Sequence, residues 1–123
     1  MDIRFWNQEI ETLAQKDLRQ LQLTRLRELI GYAMKTPFYH KRLKKAGISS
    51  PEDIQDLEDL QKIPFTVKDD LRQAFPKGLL AVDMEQVVRI HSSSGTTGIP
   101  TVIYYTAKDL DRWTDLLARG IVA

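Results

Sequence analysis

The sequence QVVRIHSSSGTTGIPTVIYY, Gln86–Tyr105, carries the clearest signals for the fold of this chain. Its two ends, QVVRI and TVIYY, are rich in β-branched and aromatic residues, and they predict two strands. Between them, nine of the ten residues from Ser92 to Thr101 are Ser, Thr, Gly or Pro. A flexible linker is usually bounded by polar sequence, whereas this segment is bounded by strands that favour burial. We therefore predict a short loop that is anchored at both ends.

The composition of this loop suits an anionic ligand. Gly95 and Gly98 allow positive φ and let the backbone approach a ligand closely. Consecutive backbone N–H groups in such a turn form a concave site for anions. The hydroxyl groups around the glycines donate hydrogen bonds without carrying charge; they belong to Ser93, Ser94, Thr96 and Thr97. The Walker A pattern and the dinucleotide G-x-G-x-x-G are both absent. A polyphosphate site and a plain polar hairpin turn both remain open on these residues alone.

The sequence before the loop predicts helices. A helical pattern runs from Phe5 to Lys35, with Asp17 and Gln20 as its capping pair. Residues 38–47 predict a second helix that ends at Gly47. Ser50 precedes Pro51 and starts a third helix, with Asp53 as its capping partner.

Two further helices flank the predicted strands. Thr66 is predicted to cap the first, VKDDLRQAF, with Asp69 as its partner. Thr106 is predicted to cap the second, AKDLDRWTDLLARG, with Asp109 as its partner and Trp113 in the core. Residues 1–80 are thus mainly helical, and residues 81–123 follow the order strand, loop, strand, helix. An α/β or α+β arrangement follows.

The composition and charge of the chain argue against several classes of site and partner. The 123 residues suit one ordinary domain, and the formal net charge of +1 gives no field that would attract nucleic acid or an anionic membrane. No cysteine is present, which excludes disulfides, zinc thiolate sites and cysteine catalysis. The charged N-terminus does not fit a signal peptide, and no apolar run reaches the roughly 20 residues of a membrane helix. The apolar run at the end of the chain suggests a piece of a longer protein.

The loop and its surroundings resemble a known family. SSGTTGIPT, Ser93–Thr101, closely resembles the phosphate-binding loop of the adenylate-forming enzymes. The resemblance narrows to the N-terminal part of the phenylacetate–coenzyme A ligases, and it runs from near Phe5 to the last residue. Three segments carry it: PFYHKRL from Pro37, AGISSPEDIQDLEDLQKIPFTVKDDLR from Ala46, and AVDMEQVVRIHSSSGTTGIPTVIYYT from Ala81.

This resemblance implies an α/β fold in which a helical N-terminal region precedes the first strands of the large AMP-binding domain. It implies a cytoplasmic homodimer that activates an aryl-acetate carboxylate with Mg²⁺ and ATP through an acyl-adenylate. The acyl group then passes to coenzyme A. The phosphate-binding residues carried over to this chain are Ser93, Ser94, Gly95, Thr96, Thr97 and Gly98. The resemblance implies no catalytic residue and no metal ligand in this chain, because in the family those lie downstream. The chain alone is therefore expected to be inactive.

Two positions differ from patterns common in the family, and two alternative functions were considered beside the ligase. Thr101 stands where many superfamily members have Lys, which fits the phenylacetate branch, but Ile99 stands where that branch often has Lys. The first alternative is an adenylyltransferase-like relative of the coenzyme F390 synthetase type. The second is a non-catalytic interaction domain that keeps the loop as a relic. The identity of the aryl acid is not encoded here, because the family's aryl pocket lies mostly downstream.

Other polar residues have structural interpretations. His91 is expected to make a structural hydrogen bond to backbone, and His40 to lie on a helix surface. Tyr104 and Tyr105 alternate across a strand, so that one of them faces inward. The basic cluster, Lys41, Arg42, Lys44 and Lys45, is expected to form a solvated helix face rather than a nucleic-acid or coenzyme A site. The acidic group lacks calcium-loop spacing and is expected to cap helices; it comprises Asp53, Asp56, Glu58 and Asp59.

Overall fold

A computed structural model of the chain describes residues 5–93 and 100–122. Its helical part precedes a two-stranded sheet, and a long helix follows that sheet. The α-helices are α1 (Gln8–Glu11), α2 (Gln15–Ala33), α3 (Pro37–Lys45), α4 (Lys68–Gln73) and α5 (Ala107–Val122). The strands are β1 (Val87–Ser92) and β2 (Val102–Thr106). Short 3₁₀ segments occupy Pro51–Asp53, Leu57–Lys62 and Met84–Gln86.

The hydrophobic core lies among the helices. Ile30 on α2 and Leu43 on α3 are buried together with Ile48 and Ile54 from the connection that follows α3. Leu23, Leu26 and Ile63 pack around this cluster. Full burial of an apolar side chain of this size contributes about 1.5–3 kcal/mol, so this small cluster holds the first half of the chain together.

Side-chain caps shape the helical part. Thr36 precedes α3, and its hydroxyl accepts from the Tyr39 N–H at 3.1 Å. Gly47 ends the same helix with a φ of 80°, which glycine adopts without a steric cost. The Asp53 carboxylate accepts from the N–H groups of Ser49 and Ser50, as the capping interpretation of the acidic group expects.

Three predictions for the helices were wrong in detail. The predicted continuous helix is divided, since α1 ends at Glu11 and α2 begins at Gln15. Asp17 therefore lies inside the first turn of α2, where the helix dipole favours its charge, instead of capping that helix with Gln20. The third helix is only the 3₁₀ turn Pro51–Asp53.

The cap of α4 differs from the prediction by one residue. Its N-cap is Val67, whose N–H donates to Asp70 at 2.9 Å, so Asp70 takes the place predicted for Asp69. The hydroxyl of Thr66 instead shares a 2.6 Å hydrogen bond with the Tyr39 hydroxyl. The hydroxyl that the local sequence pattern predicted as a helix cap is therefore bonded to Tyr39, which is 27 residues away in the sequence.

The two strands form an antiparallel hairpin. Ile90 pairs with Tyr104, His91 with Ile103 and Ser92 with Val102, and the register is irregular between Val87 and Arg89. Thr106 then begins α5 as predicted: its N–H and hydroxyl donate to Asp109 at 2.8 Å, and the Asp109 N–H donates back to the hydroxyl at 3.2 Å. The hairpin therefore passes directly into the last helix.

The N-terminal segment contacts this last helix. The Trp6 indole N–H donates to Asp115 at 2.7 Å, and Arg119 lies 3.7 Å from the Glu11 carboxylate. These contacts join the first described residues to the hairpin region across the length of the sequence. Within the described ranges, no helix combines the length and apolar character needed to cross a bilayer.

Candidate functional site

The hairpin positions the ends of the glycine loop. The Ser93 N–H donates to the Thr101 carbonyl at 3.0 Å, and the Thr101 N–H donates to the Ser93 hydroxyl at 2.9 Å. The first bond joins the two backbones just beyond the last strand pair, Ser92 and Val102, and the second joins the Thr101 backbone to the Ser93 side chain. The ends of the predicted loop are therefore held side by side.

Of the six residues predicted to bind phosphate, Ser93 lies within the described part of the chain. It is exposed, and its hydroxyl oxygen accepts from Thr101. That oxygen keeps its own hydrogen as a donor, so its contact with Thr101 leaves hydrogen-bonding capacity for a ligand. The other five, Ser94, Gly95, Thr96, Thr97 and Gly98, lie outside the described residues.

Thr101, noted in the sequence as the last residue of the loop motif, has a side-chain environment that the sequence did not predict. Its side chain is buried, with 8% of the residue exposed. Among the described residues its hydroxyl oxygen has no hydrogen-bond partner. Buried hydroxyls are nearly always paired, so this group requires an explanation. In the sequence, Thr101 was noted only for its place at the end of the loop motif, where many superfamily members have Lys.

An aromatic cluster supports the β1 side of the loop. The His91 ring lies 4.9 Å from the Tyr105 ring and 5.9 Å from the Trp113 ring, and the last two rings stack at 5.9 Å. The backbone hydrogen bond predicted for His91 is not found among the described residues; its ring makes aromatic contacts instead. Trp113 is 42% exposed, so its predicted place in the core was wrong. Its indole instead packs against His91 and Tyr105 on one face of the hairpin.

A cavity lies on the other side of the hairpin. Its volume is about 630 Å³, within the range of small-molecule sites. Tyr104 and Val102 of β2, Tyr32 of α2 and an apolar stretch at residues 79–82 contribute to its walls. Tyr104 therefore faces this cavity, and Tyr105 faces the aromatic cluster, which resolves the predicted alternation of the two tyrosines.

Several charged groups of the helical part form ion pairs and backbone hydrogen bonds within the fold. Lys62 and then the Gln55 N–H lower the pKa of Asp59, and the Asp59 carboxylate in turn raises the pKa of Lys62. The Val67 N–H, followed by Arg42, lowers the pKa of Asp70. Arg42 of the basic cluster is thus paired with Asp70, at 3.0 Å. His40 is exposed, and a ring nitrogen lies 3.2 Å from the Met34 carbonyl.

The described residues offer no cluster of metal ligands. Within residues 5–93 and 100–122, no three His, Cys, Asp or Glu side chains come together in a way that could hold an ion. A protein site for Mg²⁺ usually supplies one or two carboxylates in addition to substrate phosphates. The Asp109 carboxylate, which accepts from Thr106, caps the start of α5.

Comparison with known proteins agrees with the resemblance found in the sequence. No protein-family profile matches the chain. A phenylacetate–coenzyme A ligase of Thermus thermophilus is 48% identical over 116 residues, which are 94% of this chain and 26% of that protein. A phenylacetate–coenzyme A ligase of Escherichia coli is 46% identical over 115 residues, with 93% and 26% covered. The chain spans about a quarter of the length of the curated relatives it matches.

Solved structures show the same relationship for the fold. A 2-hydroxyisobutyryl-CoA ligase in complex with 2-HIB-AMP and CoA superposes with a TM-score of 0.85 at 29% identity. An open conformation of that ligase superposes with a TM-score of 0.82 at 26% identity. Each comparison covers 97% of this chain and 26% of the other. The predicted resemblance to phenylacetate–coenzyme A ligases and the predicted fold class are therefore confirmed.

Proposed function

We propose that this chain carries the ATP phosphate loop of an AMP-forming phenylacetate–coenzyme A ligase. The observation that carries the proposal is the 48% identity to such a ligase over 94% of the chain. The hairpin geometry supports it, because the paired Ser93 and Thr101 hold the two ends of the glycine loop together. In this proposal ATP, coenzyme A and an aryl acetate are the substrates of the whole protein. A cytoplasmic homodimer, with no nucleic-acid or membrane partner, is part of the same proposal.

The proposed role of the loop follows from the charges in the reaction. Attack of a carboxylate on the α-phosphate of ATP expels pyrophosphate, so negative charge grows on the β- and γ-phosphates. Fixed donors near those oxygens stabilise the transition state more than the ground state. The donors available here are backbone N–H groups and the hydroxyls of Ser93, Ser94, Thr96 and Thr97. These residues bind phosphate and orient it; they do not exchange protons.

Mg²⁺ enters this proposal with ATP as part of the substrate. The described residues supply no ligand cluster for it, so its protein ligand is not assigned to them. What this chain contributes to phosphate binding is neutral, because the loop from Ser92 to Thr101 contains no charged side chain. Neutral donors suit a site that must release pyrophosphate after each turnover.

Pyrophosphate release tests the proposal directly. The protein, as its gene encodes it, is mixed with ATP, Mg²⁺ and a panel of aryl acetates, with and without coenzyme A. We expect release with phenylacetate, and a loss of at least about tenfold in kcat/KM for ATP in Thr97→Val, since one donor to a charged group is removed. Thr114→Val provides the matched control, because the Thr114 hydroxyl donates to the Leu110 carbonyl within α5 and is not part of the loop motif.

The alternatives predict different results. A coenzyme F390 synthetase-type relative would release pyrophosphate only with a different acceptor. A relic interaction domain would neither bind ATP nor release pyrophosphate. Folded wild-type protein that releases none with any aryl acid would contradict the ligase proposal. Equal kcat/KM values for ATP in Thr97→Val and Thr114→Val would show that the Thr97 hydroxyl does not contribute to the activity.

A further inference from the structure

The cavity beside the hairpin is a feature of the described chain that the proposed function does not use. Its walls come from α2, from residues 71–82, and from β2 with the start of α5. Its volume of about 630 Å³ suits a site that encloses a small molecule. Neither Ser93 nor Thr101 contributes to these walls, so the cavity is distinct from the described ends of the glycine loop.

The walls of this cavity are mainly apolar. Leucine side chains from three parts of the chain line it: Leu29 of α2, Leu71 of α4 and Leu80 of the connection before β1. Leu29 is 62% exposed, and Phe75 in the same walls is 53% exposed. Covering such surface with an apolar group is favourable, because it removes the surface from water. The body of a ligand that fits this cavity is therefore apolar.

One wall of the cavity carries two cations that the fold does not pair. Lys108 and Arg112 are four residues apart on α5, so they lie on the same side of the helix. Neither of them forms an ion pair within residues 5–93 and 100–122. Asp109 lies in the same wall, but its carboxylate accepts from the N–H and hydroxyl of Thr106. Two cations against one carboxylate favour a ligand with a single negative charge.

A neutral donor accompanies these cations. Tyr104 lines the cavity, and its hydroxyl has no hydrogen-bond partner in the described part of the chain. A phenol hydroxyl can donate to a carboxylate oxygen. Arg42 on α3 provides the contrast, because it pairs with Asp70 at 3.0 Å and lies 4.5 Å above the Phe38 ring. The fold thus occupies the cation of α3 and leaves the polar groups of the cavity available.

We propose that this cavity binds an apolar monocarboxylate, at a site separate from the phosphate loop. The hydrocarbon or aryl body of the acid lies among the leucines, and its carboxylate is bound by Lys108 and Arg112 with Tyr104 as a further donor. A carboxylate matches the charge of this wall better than a doubly charged phosphate monoester does. The inference does not depend on the proposed ATP site, because it uses no residue of the glycine loop.

Calorimetric titration with octanoate at neutral pH tests this site in the protein as its gene encodes it. We expect octanoate to bind, and 1-octanol, which has the same chain without the charge, to bind about tenfold more weakly. The double variant Lys108→Gln with Arg112→Gln is expected to weaken octanoate binding about tenfold and to leave 1-octanol binding unchanged. A parallel titration with 4-phenylbutyrate distinguishes an aryl acid from a fatty acid, since the tighter ligand identifies the preferred body.

Two further variants assign the binding to this cavity. Lys44→Gln is the matched control, because Lys44 is an exposed lysine of α3 that does not line the cavity, and octanoate affinity is expected to stay unchanged. Ala81→Phe adds a ring to the cavity wall and is expected to abolish binding of both octanoate and 1-octanol. Its loss of binding would exclude the aryl pocket of the whole ligase as the octanoate site.

Three results would overturn the inference. The first is absence of octanoate binding to the folded wild-type protein at about 1 mM. The second is wild-type octanoate affinity in the double variant, whose exposed positions are expected to leave folding intact. The third is wild-type octanoate affinity in Ala81→Phe.

Discussion

The helical region 15–63 and the hairpin region 87–122 differ in how they bury apolar side chains. In the first, Leu43, Ile48 and Ile54 are at most 1% exposed. In the second, α5 places Leu116, Leu117 and Ile121 on one side, and they are 63%, 55% and 82% exposed. Both regions have apolar residues at spacings suited to burial. The first region surrounds its apolar groups with α2, α3 and their connections, whereas the second has a single hairpin against a single helix.

Apolar spacing therefore identifies which face of a helix is apolar, but it does not establish that this face is buried. A helix face is buried when neighbouring elements cover it from several directions. The Tyr105 ring of the hairpin stacks on Trp113 of α5, and Leu116, Leu117 and Ile121 of the helix remain exposed. The site at the loop therefore lies on the less covered of the two regions.

The largest effect expected from this comparison is in the core. Leu43→Ala removes a side chain with 0% exposure and is expected to cost about 2–5 kcal/mol of unfolding free energy, because it leaves a cavity. Leu117→Ala on α5 is the matched control and is expected to change stability by about 0.5 kcal/mol or less. Urea denaturation measures both. Similar losses for the two variants would show that α5 is as well packed as the helical core.

The second largest expected effect is a loss of stability of the helical region at acid pH. The structure lowers the pKa of Asp53, Asp59 and Asp70 below the usual value of 3.8, chiefly through the Ser49 N–H, Lys62 and the Val67 N–H respectively. A lowered folded-state pKa stabilises the fold above the unfolded value. That contribution is lost as the pH falls through the folded-state pKa values. We therefore expect stability to decrease from about pH 5 downward.

Thermal denaturation between pH 7 and pH 3 measures this acid sensitivity. Asp59→Asn cannot ionise and is expected to show a lower Tm at pH 7 and a shallower decrease toward pH 3. Asp111→Asn, at an exposed position on α5, is the control and is expected to follow the wild-type profile. An Asp59→Asn profile parallel to the wild-type profile would show that this carboxylate does not contribute to the acid sensitivity.

The smallest expected effects come from replacing one glycine in each region by alanine. The two replacements are expected to change the free energy of unfolding in opposite directions. Gly47 ends α3 with a φ of 80°, and an added Cβ would meet no atom within 4 Å, so Gly47→Ala tests the backbone alone. We expect a loss of about 1–2 kcal/mol. Gly120 lies within α5 in open space, and Gly120→Ala is expected to gain about 0.5–1 kcal/mol. The free energy of unfolding measures both, and a loss in Gly120→Ala would reveal a close neighbour of α5.

Much of the chain could be predicted from sequence because the signals were local. The β-branched runs at 86–90 and 101–105 indicated the strands, Gly47 indicated the end of a helix, and Thr106 with Asp109 indicated the start of α5. Each signal depends on backbone preferences or on hydrogen bonds between residues at most four positions apart. The resemblance of Ser93–Thr101 to a phosphate-binding loop was also contained in the sequence.

Hydrogen bonds between residues far apart in the sequence could not be predicted from local patterns. The Thr66 hydroxyl bonds to the Tyr39 hydroxyl, and the N-cap of α4 is Val67. Ser93 pairs with Thr101 because β1 and β2 are antiparallel, and this pairing leaves the Thr101 hydroxyl buried without a partner among the described residues. Local sequence patterns were sufficient to indicate which residues form the loop and its strands. Only the packed hairpin decided which hydroxyl is paired, because hydrogen-bond partners depend on distances in space that local spacing does not determine.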